Sequence, residues 1–192
     1  EQRNIAKKYY NLSINDIQQL LSSKIHEHRL TALFILVHKY EKSDEKGKKE
    51  IFNFYLNNIR FINNWDMIDL SAHKIVGDYI LNNTGHKKII YSLSRSNNLW
   101  EKRIAVLSTF IFIRNNKFED ALKISEILLN DKHDLIHKAV GWMLREVGKK
   151  DQIVEEEFLK KHYKKMPRTM LRYAIEKFDK KKKEFYMKKI KN

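Results

Sequence analysis

Apolar residues recur every three or four positions along almost the whole chain. This period is typical of amphipathic α-helices that bury one face, and it differs from the alternation of half-buried strands. The clearest stripes contain Ile14, Ile17, Leu20 and Leu21; Leu30, Leu33, Phe34, Val37 and Tyr40; and Leu135, Ile136, Ala139, Val140 and Met143. The pattern therefore predicts a series of helices.

The longest apolar run, residues 104–113, is rich in β-branched and aromatic residues and is compatible with a strand or with a buried helix. Residues 99–103 extend the segment beyond the usual length of a strand, and they contain no turn residue. We therefore interpret the segment as a buried helix.

Short polar segments interrupt the apolar stripes, and we interpret them as helix ends or caps. They are residues 42–44, 82–85, 96–98, 114–116, 130–132 and 148–150. Pro167 suits the first turn of a helix that continues to about Phe178. These breaks predict about ten helices of roughly 10–18 residues, joined by short links within a single domain that spans residues 1–192.

The predicted class is all-α. A chain with one Pro and five Gly has little material for the tight turns of an all-β fold. Consecutive helices with short links favour an α-solenoid, which is a superhelix of HEAT-like antiparallel helix pairs. Because no strict sequence period is visible, a compact helical bundle stays open as the alternative.

The charge indicates the kind of partner. The chain holds 39 Lys and Arg against 24 Asp and Glu, a formal net charge of +15. This excess is the electrostatic signature of a nucleic-acid-binding protein, although a generally lysine-rich surface gives the same number. Residues 180–192 hold seven Lys against one Glu, and they either follow phosphates or form a solvated terminal helix.

Several kinds of chemistry lack the residues they need. The chain has no Cys, which excludes disulfides and thiol nucleophiles and fits a reducing cytoplasm. No apolar stretch is long enough to span a membrane, and no nucleotide-binding or serine-hydrolase motif occurs. His133 and His137 have zinc-ligand spacing, but Asp134 replaces the Glu of the zinc-protease motif and no third ligand is evident. We expect neither a metal nor a cofactor.

Trp65 and Asp69 form the most informative pair. They are four residues apart, so in a helix the indole and the carboxylate lie on one face. In a strongly basic chain, this pair suggests a polyanionic ligand and chemistry near a developing positive charge. A core Trp with a helix-capping acid also fits the spacing, because Asn64 or Asp66 could begin a helix here.

Two Trp-x-x-Arg pairs occur later in the chain, Trp100 with Arg103 and Trp142 with Arg145. Residues three apart share a helical face, so each pair could present a ring and a guanidinium together. A buried Trp beside a surface Arg fits equally. Gly141 lies in the middle of the predicted helix that contains Trp142 and Arg145. A small residue there permits close packing of another helix or close approach of a ligand.

Four separated stretches together resemble the AlkD-like DNA alkylation repair family. They are residues 63–71, 100–106, 137–146 and 166–176, and their order and spacing match from about residue 15 to 178. The resemblance implies a HEAT-like-repeat DNA glycosylase that excises cationic N3- and N7-alkylated purines from double-stranded DNA. Members of the family usually carry additional N-terminal helices, which this chain is expected to lack. Nothing in the sequence demands a dimer, so we expect a monomer.

The family pattern also implies roles for individual residues. Asp69 corresponds to the catalytic carboxylate, and Trp65 and Trp142 would pack against the sugar of the damaged nucleotide. The candidate contacts to the DNA backbone are Arg103, Arg145, Arg168 and Arg172. Two other functions stay open: a non-catalytic HEAT-like module that recognises distorted or branched DNA, and a scaffold whose basic face binds an acidic protein.

Overall fold

A computed structural model describes residues 2–188 of the chain. All regular secondary structure in these residues is helical, which confirms the all-α prediction. The backbone divides into two compact units, Glu1–Lys87 and Lys88–Asn192. The last part of the predicted C-terminal segment, residues 189–192, lies outside the described residues. Among the described residues, no helix has the length and apolarity that crossing a membrane requires.

Unit 1 is built around one long helix. Its α-helices are α1 (Gln2–Lys8), α2 (Ile14–Leu21), α3 (His26–Lys42), α4 (Glu45–Asn57), α5 (Trp65–Ala72) and α6 (Asp78–Asn82), with 3₁₀ turns at Ile59–Phe61 and Thr84–His86. Helix α3 packs against α1, α2, α4 and α5. It buries Leu33, Leu36 and Tyr40, residues spaced three and four apart as an inward-facing stripe requires. The predicted stripe around Leu33 is confirmed. In the stripe around Ile17, Ile17 and Leu21 are buried as predicted, whereas Ile14 is exposed.

A turn of π-helix joins α5 to α6. It comprises His73–Gly77, and its residues Ile75, Val76 and Gly77 are buried. A π-helical turn is rare and often lies at a functional site, because it changes the angle at which the neighbouring side chains project. Hydrophobic periodicity did not predict this turn, since the segment still buries its apolar residues at nearly helical spacing.

Unit 2 is built around a second long helix. Its α-helices are α7 (Lys88–Ser94), α8 (Leu99–Arg114), α9 (Glu119–Ile127), α10 (Asp134–Lys150), α11 (Gln152–His162), α12 (Arg168–Ala174) and α13 (Lys180–Met187), with a 3₁₀ turn at Ile175–Lys177. Helix α10 packs against α8, α9, α11 and α12. The apolar run 104–113 lies within α8 and is largely buried, so its interpretation as a buried helix is confirmed.

The two glycines of α10 serve close packing. A Cβ on Gly141 would collide with the carbonyl oxygen of Met170 and lie 2.5 Å from the Cβ of Tyr173, so this glycine lets α12 approach. The prediction that residues 148–150 end a helix is confirmed, because α10 ends at Lys150. Gly148 also leaves room for the side chain of Glu155, which a Cβ at this position would overlap.

Candidate functional site

The first candidate site lies at the start of α5. Asn64 caps this helix, and its Oδ1 accepts a hydrogen bond from the backbone N–H of Trp65 at 2.8 Å. Asn satisfies an otherwise unpaired N–H at a helix start and thereby fixes where the helix begins. The side chain of Trp65 is 51% exposed. The alternative interpretation of Trp65 as a core residue was therefore wrong, and the indole is available to a ligand.

Asp69 follows Trp65 by one helical turn and is half-buried. It lines a cleft of about 420 Å³ within unit 1, whereas Trp65 does not line this cleft. The other lining residues come from α1, α3, α5 and the π-helical turn: Arg3, Ala6, Lys7, Phe34, Val37, His38, Glu41, Leu70, His73 and Lys74. Trp65 and Asp69 lie one turn apart on one helix, as predicted, and the carboxylate lies in a concavity. Their joint action on one ligand stays a prediction.

The charges around this cleft are mixed. Arg3 lies over the ring of Phe34, with its guanidinium carbon 5.3 Å from the ring centre. Lys74 Nζ lies 3.0 Å from Glu41 Oε1. Sequence analysis missed these residues, because the tertiary fold rather than a motif brings them to Asp69. A carboxylate bordered by cations and a polarisable ring can bind a group that carries both a phosphate and a positive centre.

Asp69 also acts on the buried core behind it. Burial raises the pKa of the Tyr55 phenol; a hydrogen bond with Ser71 at 2.9 Å opposes the rise, and the negative charge of Asp69 adds to it.

The neighbouring acid Asp66 has a different role. Its Oδ2 lies 2.8 Å from His26 Nε2, an ion pair when His26 is protonated, so Asp66 helps to attach the start of α5 to α3.

The second candidate site lies on α10. Trp142 is half-buried, its ring lies 5.9 Å from that of Phe110, and its Nε1–H donates to Glu146 Oε1 at 3.1 Å. Glu146 Oε1 also lies 2.7 Å from Lys149 Nζ and 3.5 Å from Arg145 Nη2. One carboxylate oxygen thus accepts a hydrogen bond from the indole and lies within ion-pair distance of two cations. Sequence analysis missed Glu146, although its spacing of four from Trp142 was a visible signal.

Two of the candidate DNA-contacting arginines are engaged within unit 2. The Arg103 side chain is buried, with the residue 5% exposed, and its Nη1–H donates to the backbone carbonyl of Leu135 at 2.7 Å. It therefore joins α8 to the start of α10. Arg145 forms a close ion pair with Glu176, besides its contact with Glu146. Arg103 thus contacts the first turn of α10, and Arg145 lies in the second half of that helix. Their contacts with DNA stay predictions.

The other two candidate arginines belong to α12. Arg168 is exposed, and its Nη2–H donates to the carbonyl oxygen of Met187 at 2.6 Å. Arg172 is also exposed and lines a shallow depression with Asp134, Lys138, Thr169, Tyr173 and Glu176. Arg168 thus attaches α13 to α12, while Arg172 faces solvent near the start of α10.

The histidine pair of the excluded zinc motif has local structural contacts. His133 caps α10, because its Nδ1 accepts from the backbone N–H of Leu135 at 3.2 Å. His137 Nε2 lies 2.5 Å from the carbonyl oxygen of Asp131. Burial alone would raise the pKa of Asp131, but hydrogen bonds from Lys102 and from the His133 amide hold it below its ordinary value. In residues 2–188, no three metal-ligating side chains are gathered in one place.

Within each unit, the site residues predicted from the sequence fall into a local group. Unit 1 places Trp65 and Asp69 on α5, and unit 2 places Trp142 and Arg145 one turn apart on α10. Together, the helical fold, the excess of basic residues, the exposed indole and the carboxylate in a cleft define a class: an all-α protein equipped for a polyanionic substrate.

The chain belongs to the family of DNA alkylation repair enzymes, whose sequence profile matches residues 1–178. This family places the protein in DNA alkylation repair, with DNA as its substrate. It also confirms the resemblance inferred from the four motif stretches. Helix α13 lies beyond the matched residues. A comparison with curated proteins gives no match.

Solved structures share the fold. A predicted DNA alkylation repair enzyme from Enterococcus faecalis superposes with a TM-score of 0.70 at 15% sequence identity, covering 92% of this chain and 82% of that one. AlkD2 from Streptococcus mutans gives a TM-score of 0.65 at 21% identity, covering 93% of this chain and 89% of its own. The smu.31 protein from Streptococcus mutans UA159 gives 0.65 at 20% identity, covering 93% and 92%.

Proposed function

We propose that this protein is a DNA glycosylase that hydrolyses the N-glycosidic bond of cationic N3- and N7-alkylated purines. The observation that carries the proposal is the pairing on α5 of an exposed Trp65 with Asp69, which lies one turn later and lines a cleft bordered by cations. The family membership supports a role in alkylation repair, and the residues at this site suit the finer reaction.

The proposed reaction needs a carboxylate but no general acid. An alkylated purine with a positively charged ring leaves as a neutral base, taking the electron pair of the bond between its ring nitrogen and C1′. Positive charge then develops on the deoxyribose. The Asp69 carboxylate stabilises this charge and orients a water molecule, whose oxygen attacks C1′ and whose proton passes to the carboxylate or to solvent.

Trp65, on the same helix as Asp69, would assist by packing against the sugar. The face of an indole is electron-rich and attracts a cation by about 0.5–2 kcal/mol. A role for Trp142 stays a prediction, and its Nε1–H donates to Glu146. The arginines Arg103, Arg145, Arg168 and Arg172 would contact phosphates, which fixes the register of the DNA but carries no information about its bases.

The release of free 7-methylguanine and 3-methyladenine from methylated duplex DNA tests this function. We expect both bases to appear in the soluble fraction with the wild-type protein and to be absent without it. If DNA binding is intact and neither base is released, the glycosylase assignment is wrong, and the non-catalytic DNA-binding module is the better description.

Replacing Trp65 with Ala is expected to slow excision by roughly 2- to 30-fold, the range that one lost cation–π contact gives. Because the side chain is half exposed, the change should cost little folding stability. Trp65→Phe keeps a ring and should recover part of the rate. Single-turnover excision rates of the three proteins measure the effect. Equal rates for all three would show that Trp65 does not contact the reacting sugar.

Replacing Arg103 with Ala is expected to weaken binding to all DNA sequences and to reduce the dependence of log Kd on log salt by about 0.9 for one lost phosphate contact. The change also removes the donor to the Leu135 carbonyl and should cost about 1–3 kcal/mol of folding free energy. Binding titrations between low and moderate salt, at a temperature where the variant is folded, separate the effects. A destabilised variant with an unchanged salt slope would show that Arg103 has only a structural role.

A further inference from the structure

The positive charge of the chain is concentrated in its last part. Residues 160–192 hold 14 Lys and Arg against 3 Asp and Glu, a net charge of +11, whereas residues 1–159 hold 25 against 21. Within the described residues of this part, 160–188, the numbers are 12 and 3. The basic character that indicates a polyanionic partner therefore comes mainly from the end of unit 2.

Two lysine-rich segments are brought together there by aromatic contacts. The first is the end of α11 with the turn that follows it, and the second is α13. The ring of Tyr163, in the turn, lies 5.3 Å from that of Tyr186 and 6.0 Å from that of Phe185, both on α13. Tyr186 is 3% exposed and also lies 5.8 Å from Phe178. These rings anchor α13 against the rest of unit 2.

A hydrogen bond also fixes this C-terminal end of α13. Arg168 Nη2–H donates to the carbonyl oxygen of Met187, so the last turn of α13 is attached to the start of α12. Among the lysines of α13, Lys182 forms a close ion pair with Glu156 of α11. The packed rings and these polar contacts give the neighbouring lysines a defined position instead of a loose tail.

Six lysines of the two segments are exposed: Lys160, Lys161, Lys164, Lys165, Lys180 and Lys181. We call them the lysine patch. Within residues 2–188, none of the six forms an ion pair with a carboxylate. Clustered ammonium groups without neutralising acids repel one another, and a polyanion that binds them relieves this repulsion and releases its own counterions.

We propose that the lysine patch binds the phosphate backbone of DNA, independently of base sequence and without contact with the excised base. DNA is the substrate of the family, and α13 lies beyond the residues that match the family profile. Two of the six lysines, Lys180 and Lys181, lie on α13, and the other four lie within the matched residues. The proposal requires DNA binding only, and it does not depend on the glycosylase reaction.

An anionic membrane surface is the competing ligand, and the structure favours it less. A helix that lies in a membrane interface needs a broad apolar face on the side that meets the lipid. In α13, Tyr186 is buried against unit 2, and Phe185 is the one large exposed apolar residue among those described in this helix. Binding to the phosphates of a DNA duplex requires only the charged side chains and no apolar face.

The consequence for repair is a faster search. Contacts with phosphates that carry no sequence information let a protein associate rapidly and move along DNA. A surface of this kind lets the protein remain on undamaged DNA between lesions. Its contribution should appear in the affinity for undamaged DNA and should be small in the rate of the chemical step once damaged DNA is saturated with enzyme.

The test compares two proteins that have the same net charge. In the patch variant, Lys160, Lys161, Lys164, Lys165, Lys180 and Lys181 are changed to Gln. In the control variant, the exposed residues Lys8, Lys24, Lys42, Lys46, Lys49 and Lys117 are changed to Gln. Binding of each protein to an undamaged duplex is measured by fluorescence anisotropy over a series of salt concentrations, after circular dichroism has shown that both are folded.

We expect the patch variant to lose at least about tenfold in affinity and its salt slope to fall by about 0.9 for each phosphate contact removed, with a much smaller change in the control. Equal losses in both variants would overturn the proposal, because binding would then depend on total charge. Unchanged DNA binding by the patch variant would also overturn it. Binding of both variants to vesicles of phosphatidylglycerol and phosphatidylcholine is measured in parallel, and a patch variant that loses affinity for the vesicles but not for DNA would overturn the proposal too.

If the patch variant fails to fold, two partial variants keep the test decisive. One changes only the four lysines at the end of α11 and in its turn, and the other changes only Lys180 and Lys181. Each should lose affinity in proportion to the lysines removed. Because the duplex is undamaged, these measurements are independent of whether the protein releases alkylated bases.

Discussion

Replacing Asp69 with Asn is expected to reduce the release of 7-methylguanine and 3-methyladenine at least about 100-fold, while affinity for damaged DNA stays the same or rises. Asn has nearly the shape of Asp but lacks its negative charge, so it cannot stabilise the positive sugar. DNA affinity should not fall, because the change removes a repulsion between the carboxylate and the phosphates. The measurement is a single-turnover excision assay combined with a binding titration.

Asp66→Asn is the matched control for this prediction. Asp66 lies on the same helix, three residues earlier, and its replacement removes the same charge. It contacts His26 and does not line the cleft, so its loss should affect stability more than excision. Excision that falls equally in both variants would show a general electrostatic effect. Excision that is unchanged in Asp69→Asn would exclude Asp69 from the chemistry.

The folding stability of the protein is expected to fall as the pH rises from about 4.5 to about 8, with Glu155 as a principal cause. This side chain is 2% exposed, its Oε1 has no hydrogen-bond partner, and it packs against Gly148. Burial, with a smaller contribution from the negative charge of Glu156, raises the pKa of Glu155 from 4.5 to about 8. The folded protein therefore keeps this carboxyl protonated at neutral pH.

The direction of the effect follows from proton binding. Between the two pKa values the folded state holds a proton that the unfolded state has lost, so each pH unit lowers the free energy of unfolding by about 1.4 kcal/mol. The contribution is fully present below about pH 4.5 and is lost as the pH passes about 8. Two titratable groups interact electrostatically with Glu155: Glu156, which is paired with Lys182, and Tyr186.

Glu155→Gln tests this expectation, because the amide has nearly the same shape and does not titrate. Urea unfolding of both proteins at a series of pH values gives the difference in stability, which should grow with pH in favour of the variant. Glu156→Gln is the control, since this acid is paired with Lys182 and should not produce the same slope. A constant difference between wild type and Glu155→Gln would show that Glu155 is ionised in the folded protein.

The helical class and most helix ends were predictable from the sequence, because local physical chemistry controls them. Apolar residues three and four apart favour a helix that buries one face, and this placed α3, α8 and α10. Asn and Asp supply caps at several helix starts, as Asn64 does for α5, Asn98 for α8 and Asp151 for α11. The close contact of Gly148 with Glu155 was not predictable in this way, because that side chain belongs to the following helix.

The sequence by itself determined that the protein is helical, that it is strongly basic, and that Trp65 and Asp69 share a helix and lie one turn apart. These properties depend on residues close together in the chain. Only the tertiary structure decided which side chains meet: Arg3 and Lys74 around the cleft that Asp69 lines, Arg103 at the start of α10, and Tyr163 against Tyr186 of α13. Such contacts join distant segments, and they form only when the helices pack to bury their apolar faces.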